Sequence, residues 1–230
     1  MICIYWRGGK EIVANILKFI ENNLFAIITA FIAIIALFQT HKQIKISNKK
    51  FLFDKRLNKY LLAKGLLELY KDNENLLDFS KDRDDEPIIV DCQFVNLTNN
   101  NYLKDVASII NDPKNNEFKN NFLVKIEELK QLSNEVRFLF QNKSGLLLGD
   151  FIIKYQNVLM ELYKYQIVSN IMQHDEIPRK ENPTYNELQK DYGELEHRHK
   201  LYRAIDDLKK SYYEVVNKKI INKIEKSIKL

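Results

Sequence analysis

One stretch of this sequence is apolar on every side of a helix, while most of the rest is apolar on one side only. Leu24 to Phe38 read LFAIITAFIAIIALF, and no charge occurs from Asn22 to Thr40. At ~1.5 Å per residue that uncharged run covers about 28 Å, close to the hydrocarbon thickness of a bilayer. A soluble surface helix keeps a polar face. Here the only central polar atom is the Thr29 hydroxyl, which a helix satisfies through a carbonyl one turn back. A cleaved leader fits poorly, because Ile34 stands where a small residue would be needed for cleavage after Ala36. The pattern therefore predicts a transmembrane helix over 22–40. Before it, Ile12, Ile16, Phe19 and Ile20 share one side of a segment that reads as a short interfacial helix or as an extension of the spanning one.

After Thr40 the period becomes that of half-buried helices. Phe53, Leu57, Tyr60, Ala63, Leu67 and Tyr70 recur at helical spacing, giving a basic stalk helix over 41–80 with a break at 81–87. Residues 87–97 hold the one plausible strand. With no second strand to pair with, a helix or extended segment is as good a reading. Leu103, Val106, Ile109 and Ile110 make a short helix ending at Asp112-Pro113. Phe118, Phe122, Ile126, Leu129, Leu132, Val136 and Phe140 form a long stripe. A loop with Gly145 and Gly149 follows, and Asp150 is the expected cap of a helix carrying Phe151, Tyr155, Val158, Leu159 and Leu162 to about His174. Residues 175–183 read as a polar loop. Thr184 and Glu187 make a capping box. A single helix is expected from there almost to the end, with Leu188, Tyr192, Leu195, Tyr202, Ile205, Tyr212, Val215, Ile220, Ile224 and Ile228 on its apolar side. The expected fold is mainly α: an N-terminal segment (1–21), a transmembrane helix (22–40), a stalk (41–80) and a helical-bundle domain (81–230) with long, coiled-coil-like helices. With 6 Gly and 4 Pro in 230 residues, composition supports long helices over a turn-rich β fold.

Charge adds an orientation. Eight basic residues and one acidic residue lie in 41–64, a local charge of +7, while 65–230 sums to −3. The positive-inside rule then puts the N-terminus outside and the bundle in the cytoplasm. Lys42, Lys45, Lys49 and Lys50 are the residues expected to meet headgroups, at about 1 kcal/mol each; their plainer role is as a topology signal. A uniformly basic face is absent, so no specific nucleic-acid binding is expected. Cys3 and Cys92 fall on opposite sides of the apolar run and form no disulfide framework.

Candidate chemistry is sparse. Glu194/His197 and Glu196/His199 both have Glu-x-x-His spacing, but a helical di-metal site needs two such motifs on different helices. His199 falls between Leu195 and Tyr202, where a core or seam histidine is the default. Asp91 with Gln93 offers part of a metal-dependent nuclease core and no remainder. His174 reads as an ordinary helix-end histidine. No phosphate-cradling loop or nucleophile elbow occurs. No cofactor and no catalytic residue is assigned.

Two local motifs carry a resemblance. Phe53-Asp54-Lys55-Arg56 with Tyr60, just past the apolar run, and Glu135-Val136-Arg137-Phe138-Leu139-Phe140 later, together resemble a diffuse group of bacterial single-pass, membrane-anchored helical proteins, over about residues 25–165. The group has no assigned reaction. Some members of this shape are similar to antiphage or abortive-infection components, and the resemblance implies that setting. Arg56 and Tyr60, one turn apart, are expected to share a carboxylate or carbonyl partner in a structural role. The functional expectation is a non-enzymatic membrane effector or adaptor that acts on the lipid bilayer and on a protein partner or a second copy. The rivals are a membrane-tethered metal-dependent enzyme and a plain scaffold.

Overall fold

The structure, a computed structural model, describes residues 3–79, 86, 88–173 and 183–228, with side chains from residue 12 onward. The chain divides into two compact units, Met1–Leu52 and Phe53–Leu230, and each is described by itself. Every regular element among the described residues is helical: α1 (Cys3–Asn73), α2 (Asp91–Leu97), α3 (Asn116–Leu139), α4 (Lys143–Gln173), α5 (Tyr185–Tyr192), α6 (Glu194–Asn217) and α7 (Ile220–Ile228), with 3-10 turns at Glu74–Leu77 and Lys104–Ile110.

The first unit is part of α1. No break separates residues 11–20 from the apolar run, so the amphipathic segment is a continuation of the helix. Residues 12–52 are exposed throughout, apart from half-buried Asn23 and Ile27. The helix is long and apolar enough to cross a membrane, with a mean hydropathy of 2.1 over its most apolar window and none of that window buried. Three of its polar side chains bond back to the helix's own backbone, the arrangement that suits surroundings without water. The Thr29 hydroxyl donates to the Phe25 carbonyl at 2.7 Å, Thr40 to Ala36 at 2.8 Å, and the Asn23 amide to Phe19 at 2.9 Å.

The second unit is a helical bundle. Its part of α1 buries Tyr60, Ala63, Leu66, Leu67 and Tyr70. Tyr60 meets Glu225, Tyr70 meets Tyr212, and Glu74 meets Tyr213, so this stretch runs antiparallel to α6 and α7. α4 is the central helix. It lies antiparallel to α3, where Ser133 Oγ donates to the Gly149 carbonyl, and antiparallel to α6, where Lys154 pairs with Asp207. The stripe predicted for α3 is buried from Phe122 to Phe140, and Asn115 caps it by accepting from the Glu117 and Phe118 amides. The capping box of Thr184 and Glu187 forms at the start of α5.

Of the readings left open over 87–97, the helix is the one found, as α2 over 91–97. Three local expectations are corrected. Gly145 and Gly149 are not loop glycines, and Asp150 is not a cap, because α4 begins at Lys143. The Asn142 side chain accepts from the Gly145 amide, and the apolar phase of α4 runs back from Ile152 to Leu148. Gly145 is small for a steric reason: a Cβ there would overlap the Phe140 carbonyl. The C-terminal helix is three helices. Gly193 breaks it with φ 64°, and Lys219 turns the chain again with φ 51°. The apolar side of α6 is also shifted from that expected at its start. Glu194, Arg198 and Leu201 face the core, whereas Leu195 and His199 are exposed. The expected break at 81–87 (apart from Glu86), His174, and most of the 175–183 loop lie outside the described residues.

Candidate functional site

Two places among the described residues carry chemistry beyond packing. The first is the flank of the apolar helix. Lys42, Lys45, Lys49 and Lys50 are all exposed on α1, within a few turns of Thr40. They present four cations along one helix, on long side chains that can reach past it.

The second was not visible in the sequence. Where α6 begins, Glu194 is 1% exposed and Arg198 0%. Their i, i+4 spacing lets Arg198 Nε donate to Glu194 Oε1 at 2.8 Å. Tyr165 of α4 donates to the same oxygen at 2.5 Å, and Gln189 of α5 donates to Oε2 at 2.8 Å. Arg198 Nη2 spans outward to the Glu86 carbonyl at 2.7 Å and the Tyr185 hydroxyl at 2.9 Å. Tyr165 also accepts from the Ile88 amide at 3.3 Å. One buried ion pair thus ties together α4, α5, α6, Glu86 and Ile88. Burial pushes the Tyr165 phenol far up, and the hydrogen bond to Glu194 adds to it. Burial disfavours the charged Arg198, but its hydrogen bond to Glu194 helps to outweigh this and the guanidinium stays charged.

A cavity of about 150 Å³ lies beside the pair, lined by Tyr165, Ser169, Met172, Gln173, Tyr185, Leu188 and Glu194. A wider cleft of about 300 Å³ sits where α1 ends, between Tyr70, Glu74, Leu77, Asp78 and Phe79 on one side and Tyr202, Ile205, Asp206 and Lys209 on the other. There Phe79 and Tyr202 stack at 5.5 Å, and Glu74 accepts from Tyr213 at 2.8 Å.

The four metal candidates do not converge. Glu194 is inside the bundle, held by Arg198, Tyr165 and Gln189. Glu196 is exposed and paired with Lys200 at 2.6 Å, which lowers its carboxyl pKa. His197 is half-buried with Nδ1 shielded from solvent, and His199 is exposed, so the core or seam position expected for His199 is not the one it takes. Among the described residues no three His, Cys, Asp or Glu side chains gather as a metal group. Asp91 is half-buried in the first turn of α2, with Oδ1 shielded and unbonded, and burial raises its carboxyl. Arg56 and Tyr60 take separate partners rather than a shared one. Arg56 Nε donates to the Leu139 carbonyl at 3.2 Å, and Tyr60 donates to Glu225 Oε1 at 2.5 Å. The arginine thus reaches the end of α3, at the F-L-F motif.

No family model matches the chain, and neither does any curated protein or solved structure.

Proposed function

We propose that this chain is a single-pass membrane protein of bacteria, with its N-terminus outside and its bundle in the cytoplasm, acting as a non-enzymatic effector or adaptor. The bundle binds a protein partner or a second copy, and the membrane helix passes the event to the bilayer. Antiphage defence is the proposed setting, on the resemblance of the F-D-K-R-x-x-x-Y and F-L-F motifs. One observation carries the reading: the helix over 22–40 is uncharged and exposed around nearly its whole circumference, with its basic residues concentrated on the C-terminal flank. The buried polar cluster supports a structural use of its charges. Oε1 of Glu194 accepts from Tyr165 and Arg198, and Oε2 accepts from Gln189, so both oxygens are held by donors of its own bundle.

The test is membrane potential in cells making the full-length protein, against a version lacking residues 1–40, with and without phage challenge. Depolarisation or growth arrest that requires residues 1–40 is the expected result. An unchanged potential in both versions contradicts the effector reading.

A further inference from the structure

The smallest helix of the C-terminal half that lies next to a cavity is α5, and its attachment differs from that of its neighbours. Of its eight residues only Gln189 is buried. Tyr185 and Leu188 are half-buried over the cavity of about 150 Å³. By contrast, α4 buries Phe151, Tyr155, Leu159 and Leu162 completely. Apolar burial is what makes local opening costly, so α5 belongs to the low-stability end of the bundle.

Two of its contacts are also of a kind that can be exchanged for water. Gln189 donates to Glu194 at 2.8 Å, and Tyr185 accepts from Arg198 at 2.9 Å. When these break, Glu194 and Arg198 keep each other, because both stand on α6 one turn apart, and Tyr165 stays on Glu194 from α4. No charge is orphaned, which is the usual large cost of opening a buried pair. Between α5 and α6 sits Gly193 in the left-handed region at φ 64°, where an added Cβ would meet none of the described atoms within 4 Å.

We propose that α5 is a hinged cover over the cavity between α4 and α6, latched by Tyr185 and Gln189 onto the Glu194–Arg198 pair and turning at Gly193. Opening uncovers an apolar hollow, walled by Met172 and Ser169, with a carboxylate at its edge. The bundle then has a closed and an open state of one surface, the kind of two-state element through which a membrane effector is triggered. The geometry of the cover does not depend on the membrane assignment.

Hydrogen exchange by mass spectrometry on the full-length protein in nanodiscs tests it. The α5 amides are expected to exchange through a partial opening, many-fold faster than those of α4 and α6 yet slower than an unfolded peptide. The double variant Tyr185→Phe, Gln189→Ala should speed α5 exchange several-fold and leave α4 and α6 unchanged. Exchange of α5 at the rate of α4 and α6 would overturn the proposal, as would α5 amides with no protection. A double variant that speeds all three helices together would also overturn it, since the latch would then be part of the global fold.

Discussion

Residues 12–52 and residues 53–228 are built from the same element, the α-helix, for opposite surroundings. In the first region large apolar side chains such as Phe25, Phe31, Leu37 and Phe38 are 65–87% exposed. In the second, Phe122, Phe151, Tyr155 and Leu159 are fully buried. The polar groups are inverted as well. In the first region Asn23, Thr29 and Thr40 bond back to the backbone of their own helix. The second draws a glutamate and an arginine into its interior and satisfies them from four places in the chain. What the difference teaches is that apolar content alone assigns neither region. The distribution around the helix does: all round in one, a single stripe in the other.

The contrast can be broken most sharply at the buried pair. Arg198→Ala leaves Glu194 as an uncompensated buried carboxylate, at a cost of about 3–5 kcal/mol. Denaturant unfolding of the full-length protein in detergent should show this loss, and Glu194→Gln with Arg198→Met should recover much of it. The same kind of charge change in the first region should leave the bundle intact. Ile32→Arg opposes membrane insertion by about 3 kcal/mol at the centre of a span, so the variant should shift toward the soluble fraction while its bundle unfolds at the wild-type midpoint. Next in size, Gly145→Ala should destabilise the bundle by about 1–3 kcal/mol, since the added methyl overlaps the Phe140 carbonyl, and should not change membrane retention.

The smallest effect concerns Asp91. Burial raises its carboxyl, so the folded state binds this proton more readily than the unfolded one. The group therefore favours folding at low pH, and that contribution is lost as pH rises through the raised value. Asp91→Asn should raise the thermal midpoint slightly at pH 7, and the gain should vanish as pH falls below the ordinary carboxylate range. A metal-dependent enzyme would instead lose activity on this substitution with no gain in stability.

How far the fold was legible follows from these same features. The apolar run, the stripe from Phe122 to Phe140 and the Thr184–Glu187 box are local patterns, and each appears where its spacing put it. The start of α4 was hidden because Gly145 reads as a breaker until its neighbour is known; only the approach of Phe140 gives a helical glycine its reason. The break at Gly193 is hard to read from sequence because a lone glycine, at about 1 kcal/mol against Ala, does not by itself stop a strongly periodic helix. The buried cluster was missed for a more basic reason. A search for apolar periodicity skips Glu194 and Arg198, and shifted the stripe onto Leu195 and His199 instead. The i, i+4 Glu–Arg spacing at the start of α6 was the available signal, but that pairing is common on exposed helix faces. Tyr165, which helps to make it a buried one, is remote in sequence.

The central claim is that residues 22–40 are held in a bilayer with the bundle on the side of the basic flank. Cys92, free and exposed on α2, reads that topology directly. With Cys3→Ser in place, spheroplasts of cells making the protein are treated with a membrane-impermeant maleimide, intact or permeabilised, and the membranes are then washed with alkaline carbonate. The account predicts that the protein stays with the washed membranes, and that Cys92 is labelled only after permeabilisation. Release by carbonate, or labelling of Cys92 in intact spheroplasts, would contradict it.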